Sequence, residues 1–186
     1  HHTDHCRAWL DMKSLYLLRH AKSSWSDATL ADLDRPLNKR GRRDAPRMGA
    51  ALAQRFSPLL FHVSPARRAR LTFDGLRRGW PGLGEPHCRI DEALYTFDVD
   101  DLLGWLATRD GEDRLALIGH NPAFTDLVNF FAGDGALENL PTAGWVELSL
   151  PLTQWSGVQE LYGGGSLDFA LFPRELPDDA DGRGAP

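Results

Sequence analysis

Short apolar runs that end abruptly in polar residues recur along this chain, and each is followed by a segment with helical spacing. Two of these runs, residues 15–18 and 115–118, are continuously apolar, which is typical of strands buried on both faces of a parallel sheet. Further strands are predicted at 59–63, 145–150 and 167–172. Repeated strand-then-helix units predict an α/β fold, a three-layer α/β/α sandwich with a mostly parallel central sheet.

The length of 186 residues suits a single domain with a full core, which we place at residues 12–176. Residues 1–11 hold three of the seven histidines and no periodicity, so we interpret them as a tag or an upstream extension outside the fold. Residues 177–186 are rich in Pro, Asp and Gly, and this composition predicts a disordered tail.

The charge balance and the cysteine content exclude several classes of partner. A net charge of −5 gives no support to nucleic acid as an electrostatic partner. No apolar stretch approaches the roughly 20 residues that span a bilayer, so we expect no membrane partner. The two cysteines, Cys6 and Cys88, form neither a disulfide framework nor a metal knuckle. We therefore expect a reduced, cytoplasmic setting.

Three of the predicted strands end in residues that suit a phosphate site. In chain order these ends carry Arg19-His20, then Ser64-Pro65 followed by Arg67-Arg68, then Gly119-His120. Because ligands bind beyond the carboxyl ends of parallel strands, we expect the three ends to meet in one crevice. Arginine offers a permanently charged fork to phosphate oxygens, and a neutral imidazole is a nucleophile. The strand ends therefore predict a phosphate pocket that contains a nucleophile.

Several short motifs, each weakly specific alone, occur in a fixed order at consistent spacings. They are Arg19-His20-Ala21-Lys22-Ser23, Asp34-Arg35-Pro36-Leu37 with Gly41, Asp44-Ala45-Pro46, Ser64-Pro65-Ala66-Arg67-Arg68-Ala69 with Thr72, Leu94-Tyr95, Ile118-Gly119-His120-Asn121-Pro122 and Pro141-Thr142-Ala143. Together, over about residues 12–150, the motifs resemble the histidine phosphatase superfamily, and more closely its SixA-type phosphohistidine phosphatases. The resemblance implies a phosphoglycerate mutase-like fold. Ala21, where larger relatives typically carry glycine, favours the SixA-type branch.

The resemblance also implies a role for each matching residue. It makes His20 the nucleophile that becomes phosphorylated. The phosphoryl oxygens would be held by Arg19, Arg68 and His120, with Lys22, Arg35 and Asn121 as further substrate-binding residues. Arg68 is a better match than Arg67, because the family's arginine directly precedes the alanine. No Asp/Asn/His cluster suggests a metal site, so we expect no metal and no cofactor.

The general acid is the role that the sequence leaves open. In larger members of the superfamily an acidic residue protonates the leaving group. The acidic residues in the corresponding region are Asp91, Glu92, Asp98, Asp100 and Asp101. We take Glu92 and Asp98 as the candidates, although each also suits a solvated loop or a helix cap. SixA-type proteins manage without the usual acid, and an imidazole departs from phosphorus more easily than an alkoxide does.

Three residues have structural interpretations beside the functional ones. Arg35 could form a salt bridge with Asp34 that holds a loop onto the domain. Ser64 is a better candidate for capping the following helix than for chemistry, and Asn121 could cap a helix or touch phosphate.

The sequence and the resemblance thus predict a metal-independent phosphatase, a hydrolase that works through a phosphohistidine intermediate and acts on phosphohistidine of a protein. Alternatives are a small-molecule phosphomonoesterase or phosphomutase of the same superfamily, or a non-catalytic phosphopeptide-binding module. A phosphomutase needs a more enclosed pocket, and a binding module would not need His20.

Overall fold

The central sheet is mixed, with its parallel part on one side. A computed structural model describes residues 11–177, so nearly all of the two predicted terminal extensions lie outside the described residues. Within that range the strands are β1 Lys13–Arg19, β2 Phe61–Val63, β3 Cys88–Ile90, β4 Arg114–Gly119, β5 Trp145–Leu150 and β6 Ser166–Leu171. Their order is β3-β2-β4-β1-β5-β6. The first four strands of that order are parallel, and β5 is antiparallel to both β1 and β6.

The helices connect these strands. They are α1 Lys39–Ala53, α2 Arg67–Gly79, α3 Val99–Ala107 and α4 Ala123–Ala132. Short 3-10 turns cover Asp32–Asp34, Glu85–His87, Glu92–Leu94, Trp155–Glu160 and Pro173–Glu175. Asn38 caps α1, since its Oδ1 accepts from the Gly41 N–H at 2.9 Å. The helix ends at Ala53, because the chain tightens into i→i−3 bonds at Gln54 and Arg55.

The continuous apolar run of β1 serves two cores. Leu15 and Leu17 face the core that contains α3 and α4, whereas Tyr16 and Leu18 face the core that contains α1 and α2. Alternate residues of a strand point to opposite faces, so a strand covered on both sides must be apolar throughout. The predicted three-layer α/β/α sandwich is confirmed. The boundaries of the single domain stay a prediction.

Helices α1 and α2 pack with their backbones in close approach. A Cβ added to Gly49 would lie 2.3 Å from the Leu76 carbonyl oxygen, and one added to Gly79 would lie 2.1 Å from the Pro46 carbonyl oxygen. Only a residue without a side chain allows this separation. The two glycines therefore fix where α2 lies beside α1. Among residues 11–177, no helix combines the length and the apolar character needed to cross a membrane.

Candidate active site

The carboxyl ends of β1, β2 and β4 meet at one edge of the sheet. The parallel register places Arg19 of β1 opposite Gly119 of β4, and the His20 N–H donates to the Gly119 carbonyl at 3.0 Å. The next residues, His20 and His120, therefore lie side by side with ring centroids 5.3 Å apart. Ser64 follows β2 on the other side of His120. The three strand ends therefore lie together, as the sequence predicts.

His20 is held as one neutral tautomer. Its Nδ1 lies 2.7 Å from the Ala21 carbonyl oxygen. Because a carbonyl only accepts, Nδ1 carries the proton, and Nε2 keeps its lone pair. Burial lowers the pKa of His20 to about 3; the bond to Ala21 opposes this, while His120, Arg68 and Arg19 lower it further. At neutral pH His20 thus presents an unprotonated Nε2, the atom that a nucleophile needs.

His120 is the complementary tautomer. Its Nδ1 lies 3.4 Å from Nη2 of Arg68, and its Nε2 lies 2.7 Å from the Ser64 hydroxyl. A guanidinium only donates, so Nδ1 accepts and the Nε2–H donates to Ser64. Burial, followed by the charge of Arg68, lowers the pKa of His120 to about 3. The prediction that Ser64 caps α2 is wrong, since Ala66 precedes that helix and the hydroxyl instead serves His120.

Two arginine donors at this edge have no acceptor. The Nε–H groups of Arg19 and Arg68 are buried and hydrogen-bond to no atom of residues 11–177. Elsewhere on these side chains, Nη1 of Arg19 donates to the Leu140 carbonyl at 3.0 Å. A buried charged donor without a partner costs free energy, and an oxyanion would satisfy it. We call the group formed by these two arginines and the two buried histidines the floor: Arg19, His20, Arg68 and His120.

A carboxylate that the sequence analysis missed lies against the floor. Nη2 of Arg68 reaches Oδ2 of Asp32 at 3.0 Å, and Nη1 donates to the Asp32 backbone carbonyl at 2.7 Å. The Tyr95 hydroxyl donates to Oδ2 at 2.6 Å, and Nε of Arg35 donates to Oδ1 at 3.2 Å. Desolvation raises the pKa of Asp32, but these donors prevail and lower it to about 2. The carboxylate is therefore ionised at neutral pH.

Two aromatic rings cover His120 on the solvent side. The centroid of Tyr95 lies 5.5 Å from that of His120, and the centroid of Phe97 lies 5.3 Å from it. Phe97 is 47% exposed, so this side of the site opens to solvent. We call the residues contributed by loops around the opening the rim: Asp32, Arg35, Tyr95 and Phe97.

The predicted substrate-binding residues occupy different positions. Arg35 forms its salt bridge with Asp32 rather than Asp34, and its guanidinium stacks on Trp25 at 3.6 Å. The Lys22 carbonyl accepts from the Asn38 N–H just ahead of α1. A direct contact of Arg35 or Lys22 with substrate stays a prediction.

Asn121 uses its amide to tie two segments together. Its Oδ1 accepts from the Thr125 N–H at 3.1 Å in the first turn of α4, and its Nδ2 donates to the Leu140 carbonyl at 2.9 Å. That carbonyl also accepts from Arg19 of the floor. Asn121 thus supports the floor from outside, and its contact with phosphate stays a prediction.

The two candidate acids lie away from these contacts. Asp98 caps α3 by accepting from the Asp100 N–H at 2.9 Å, and Glu92 is exposed in a 3-10 turn. Within the described part of the chain, neither hydrogen-bonds to the floor. A role as general acid stays a prediction for both. Over residues 11–177, no three His, Cys, Asp or Glu side chains are grouped so that they could hold a metal ion.

Comparison with protein families and curated proteins adds two findings. The family model of the histidine phosphatase superfamily (branch 1) matches residues 15–122. An uncharacterized chloroplastic protein of Arabidopsis thaliana is 29% identical over 131 residues, which are 65% of this chain and 60% of that protein. The match therefore spans less than two thirds of the relative's length.

Solved structures share the fold. A candidate phosphohistidine phosphatase SixA of Agrobacterium tumefaciens is 26% identical, with a TM-score of 0.71 over 87% of this chain and 98% of that one. A protein histidine phosphatase SixA solved with tungstate has 20% identity and a TM-score of 0.69, over 88% and 99% of the two chains. A mycobacterial glucosyl-3-phosphoglycerate phosphatase has 19% identity and a TM-score of 0.59, over 84% and 97%.

Proposed function

We propose that this chain, which belongs to the histidine phosphatase superfamily, is a phosphatase of SixA type that hydrolyses phosphohistidine on a protein. In this proposal His20 carries the phosphoryl group between two half-reactions, and no metal ion takes part. The positive charge that phosphoryl transfer requires comes from the arginines of the floor.

The first half-reaction transfers the phosphoryl group to His20. Its Nε2 attacks phosphorus, a new P–N bond forms, and the P–N bond of the substrate breaks with its electron pair going to the departing imidazole. Proton loss from Nε2 is unnecessary, because the Nδ1–H bonded to the Ala21 carbonyl already sets the reactive tautomer. Arg19 and Arg68 hold the phosphoryl oxygens through this step.

The second half-reaction returns the enzyme to its starting state. Water attacks the phosphorus, the bond to Nε2 breaks with its electron pair returning to the ring, and phosphate leaves. While His20 is phosphorylated its ring gains positive character, and the Ala21 carbonyl stabilises it through Nδ1–H. The same contact thus serves both half-reactions.

One observation carries this proposal: an unprotonated Nε2 lies at the same sheet edge as two buried arginine Nε–H groups without acceptors. A nucleophile beside unsatisfied cationic donors suits the attack on an anionic phosphoryl group. Support for a protein as the substrate comes from the likeness to SixA structures and from the exposed Phe97 at the opening. A cytoplasmic location stays part of the proposal.

The test offers the purified protein a histidine-phosphorylated protein, a sugar phosphate and a nucleotide. We expect the first to be hydrolysed fastest, and we expect an acid-labile, base-stable phosphoryl label on His20 after rapid quenching. His20→Ala should lose at least about 10³-fold in kcat/KM. His87→Ala is the matched control, since His87 lies in a separate 3-10 turn and accepts from the Gly84 N–H.

Two results would contradict the proposal. Faster hydrolysis of the sugar phosphate or nucleotide would make the protein a small-molecule phosphatase. Unchanged activity in His20→Ala would remove the covalent intermediate.

A further inference from the structure

The leaving group of the reaction must depart on the side where Asp32 lies. His20 is 7% exposed and His120 is 1% exposed, so both are buried beneath the phosphoryl position. Nucleophile and leaving group are roughly in line across phosphorus, which directs the leaving group away from His20 towards the opening. The Asp32 side chain is 42% exposed at that opening, and one nitrogen, Nη2 of Arg68, touches both it and His120.

Asp32 bears a negative charge that its surroundings maintain. Arg35 faces it from the loop, Arg68 from α2 and the Tyr95 hydroxyl from the segment before α3. All three donate to the carboxylate, which therefore has no proton to give. Asp32 cannot serve as a general acid in this arrangement, and its effect on the reaction must be electrostatic.

Resting on the proposed function, we propose that Asp32 determines specificity by favouring leaving groups that are cationic while bonded to phosphorus and depart as a neutral nitrogen base. In a phosphohistidine protonated on its other ring nitrogen, the ring is cationic; when the P–N bond breaks, the electron pair neutralises it and no external acid is needed. The Asp32 carboxylate stabilises that cationic ring. It repels a leaving group that develops negative charge, such as a phenolate or an alkoxide.

The negative charge of Asp32 at the opening then has a physical reason. A general acid is required where the leaving group departs as an anion, but an anion is more useful where the leaving group brings its own proton. Arg35 and Arg68 partly offset the carboxylate, and solvent screens it, so the selectivity should be moderate. We expect about a tenfold effect on the ratio of the two substrate types.

The experiment compares three probes on the wild-type protein, Asp32→Asn and Asp34→Asn. The probes are a histidine-phosphorylated protein, phosphoramidate, which releases ammonia, and p-nitrophenyl phosphate, which releases a phenolate. In Asp32→Asn the kcat/KM ratio of phosphoramidate to p-nitrophenyl phosphate should fall about tenfold. Asp34→Asn is the matched control: it removes the same charge from an exposed residue of the same turn, and its ratio should stay within about twofold.

A pH profile adds an independent readout. The carboxylate favours the protonated nitrogen of the bound substrate, so the decline of the phosphoramidate rate at high pH should begin at a lower pH in Asp32→Asn. The groups that face this region, Arg19, Arg35, Arg68, Tyr95 and His120, are the same in all variants. The rate on p-nitrophenyl phosphate should lack this displacement.

Each outcome decides the matter. If both probes lose activity by the same factor in Asp32→Asn, the residue only positions Arg68 and the inference is wrong. If the ratio falls but the wild type leaves the histidine-phosphorylated protein intact, the inference stands and the proposed protein substrate is wrong.

Discussion

The floor and the rim of the site meet at Arg68 but are built by different means. Floor residues come from strand ends or from the first turn of a helix, and sheet hydrogen bonds such as His20 N–H to the Gly119 carbonyl hold their backbone. Rim residues come from the loops before α1 and α3, and side-chain bonds converging on Asp32 hold three of them. The sheet thus positions the reactive groups, and under the specificity proposed for Asp32 it is the loops that select the leaving group.

Arg68 belongs to the floor and contacts Asp32 of the rim, so its removal should have a large effect on activity. Arg68→Ala should lower kcat/KM by about 10²- to 10³-fold, because it removes an oxyanion donor and also leaves Asp32 with fewer partners. Steady-state kinetics on phosphohistidine would measure this. Arg67→Ala is the control, since Arg67 is the exposed neighbour in the same helix and should change kcat/KM by less than about twofold. If Arg67→Ala lost more activity than Arg68→Ala, the residue that binds the phosphoryl oxygens would be Arg67 and not Arg68.

As the pH falls, the floor histidines should lose their contribution to folding stability at a higher pH than Asp32 of the rim does. The pKa values of His20 and His120 fall from 6.5 to about 3 on folding, so the unfolded chain binds more protons between those pH values. Stability should therefore drop as pH falls below about 6.5, by about 1.4 kcal/mol per pH unit for each histidine. The Asp32 pKa falls from 3.8 to about 2, so its contribution is present above about pH 4 and is lost only below it.

Urea unfolding at several pH values between 4 and 7 would measure this slope. In His20→Asn the slope should decrease by about 1.4 kcal/mol per pH unit, the share of one histidine. An unchanged slope in that variant would mean that His20 is not held neutral by the fold.

Ser64 links the floor to β2 and offers a finer test. Ser64→Ala removes the acceptor of the His120 Nε2–H, so the tautomer that presents Nδ1 to Arg68 is no longer favoured. We expect about a tenfold loss in kcat, in line with one hydrogen bond to a buried polar group. Nitrogen-15 NMR of the His120 ring would report the tautomer, and Ser64→Thr, which keeps a hydroxyl, should recover much of the activity. Loss of activity without a tautomer change would contradict this role.

The smallest effects should come from acids outside both groups. Glu92→Gln and Asp98→Asn should each leave kcat/KM on phosphohistidine within about twofold, because neither side chain hydrogen-bonds to the described floor residues. Asp98→Ala should still lower the free energy of unfolding by about 1 kcal/mol, as the loss of a helix cap does. A tenfold or larger loss of activity in Glu92→Gln would identify a proton donor and require a third group in the site.

The sequence predicted the floor better than the rim, for a physical reason. Periodicity locates buried strands, and parallel strands bring their carboxyl ends together, so His20 and His120 could be placed side by side although 100 positions separate them. The path of a loop has no such periodicity. Asp32 and Asp34 lie in one turn, and only the fold distinguishes the carboxylate that binds Arg68 from its exposed neighbour.

The same limit applies to Ser64 and Arg35. Ser64 precedes a helix, which favours a cap on local grounds, but the hydroxyl is taken by His120 from a distant part of the chain. Arg35 was expected to pair with Asp34 or touch substrate, and it pairs with Asp32 through a turn that local sequence does not specify. Long-range contacts of polar side chains are what a single sequence reveals least.

The glycine contacts between α1 and α2 have a consequence for mutational tolerance. Arg68 is the second residue of the helix that Gly79 ends, roughly 16 Å away at 1.5 Å per residue. Any side chain at Gly49 or Gly79 would push α2 from α1 and shift the guanidinium at its other end. A saturation scan selected for phosphatase activity would therefore find these two positions as intolerant as the reactive residues themselves, although neither could ever meet a substrate.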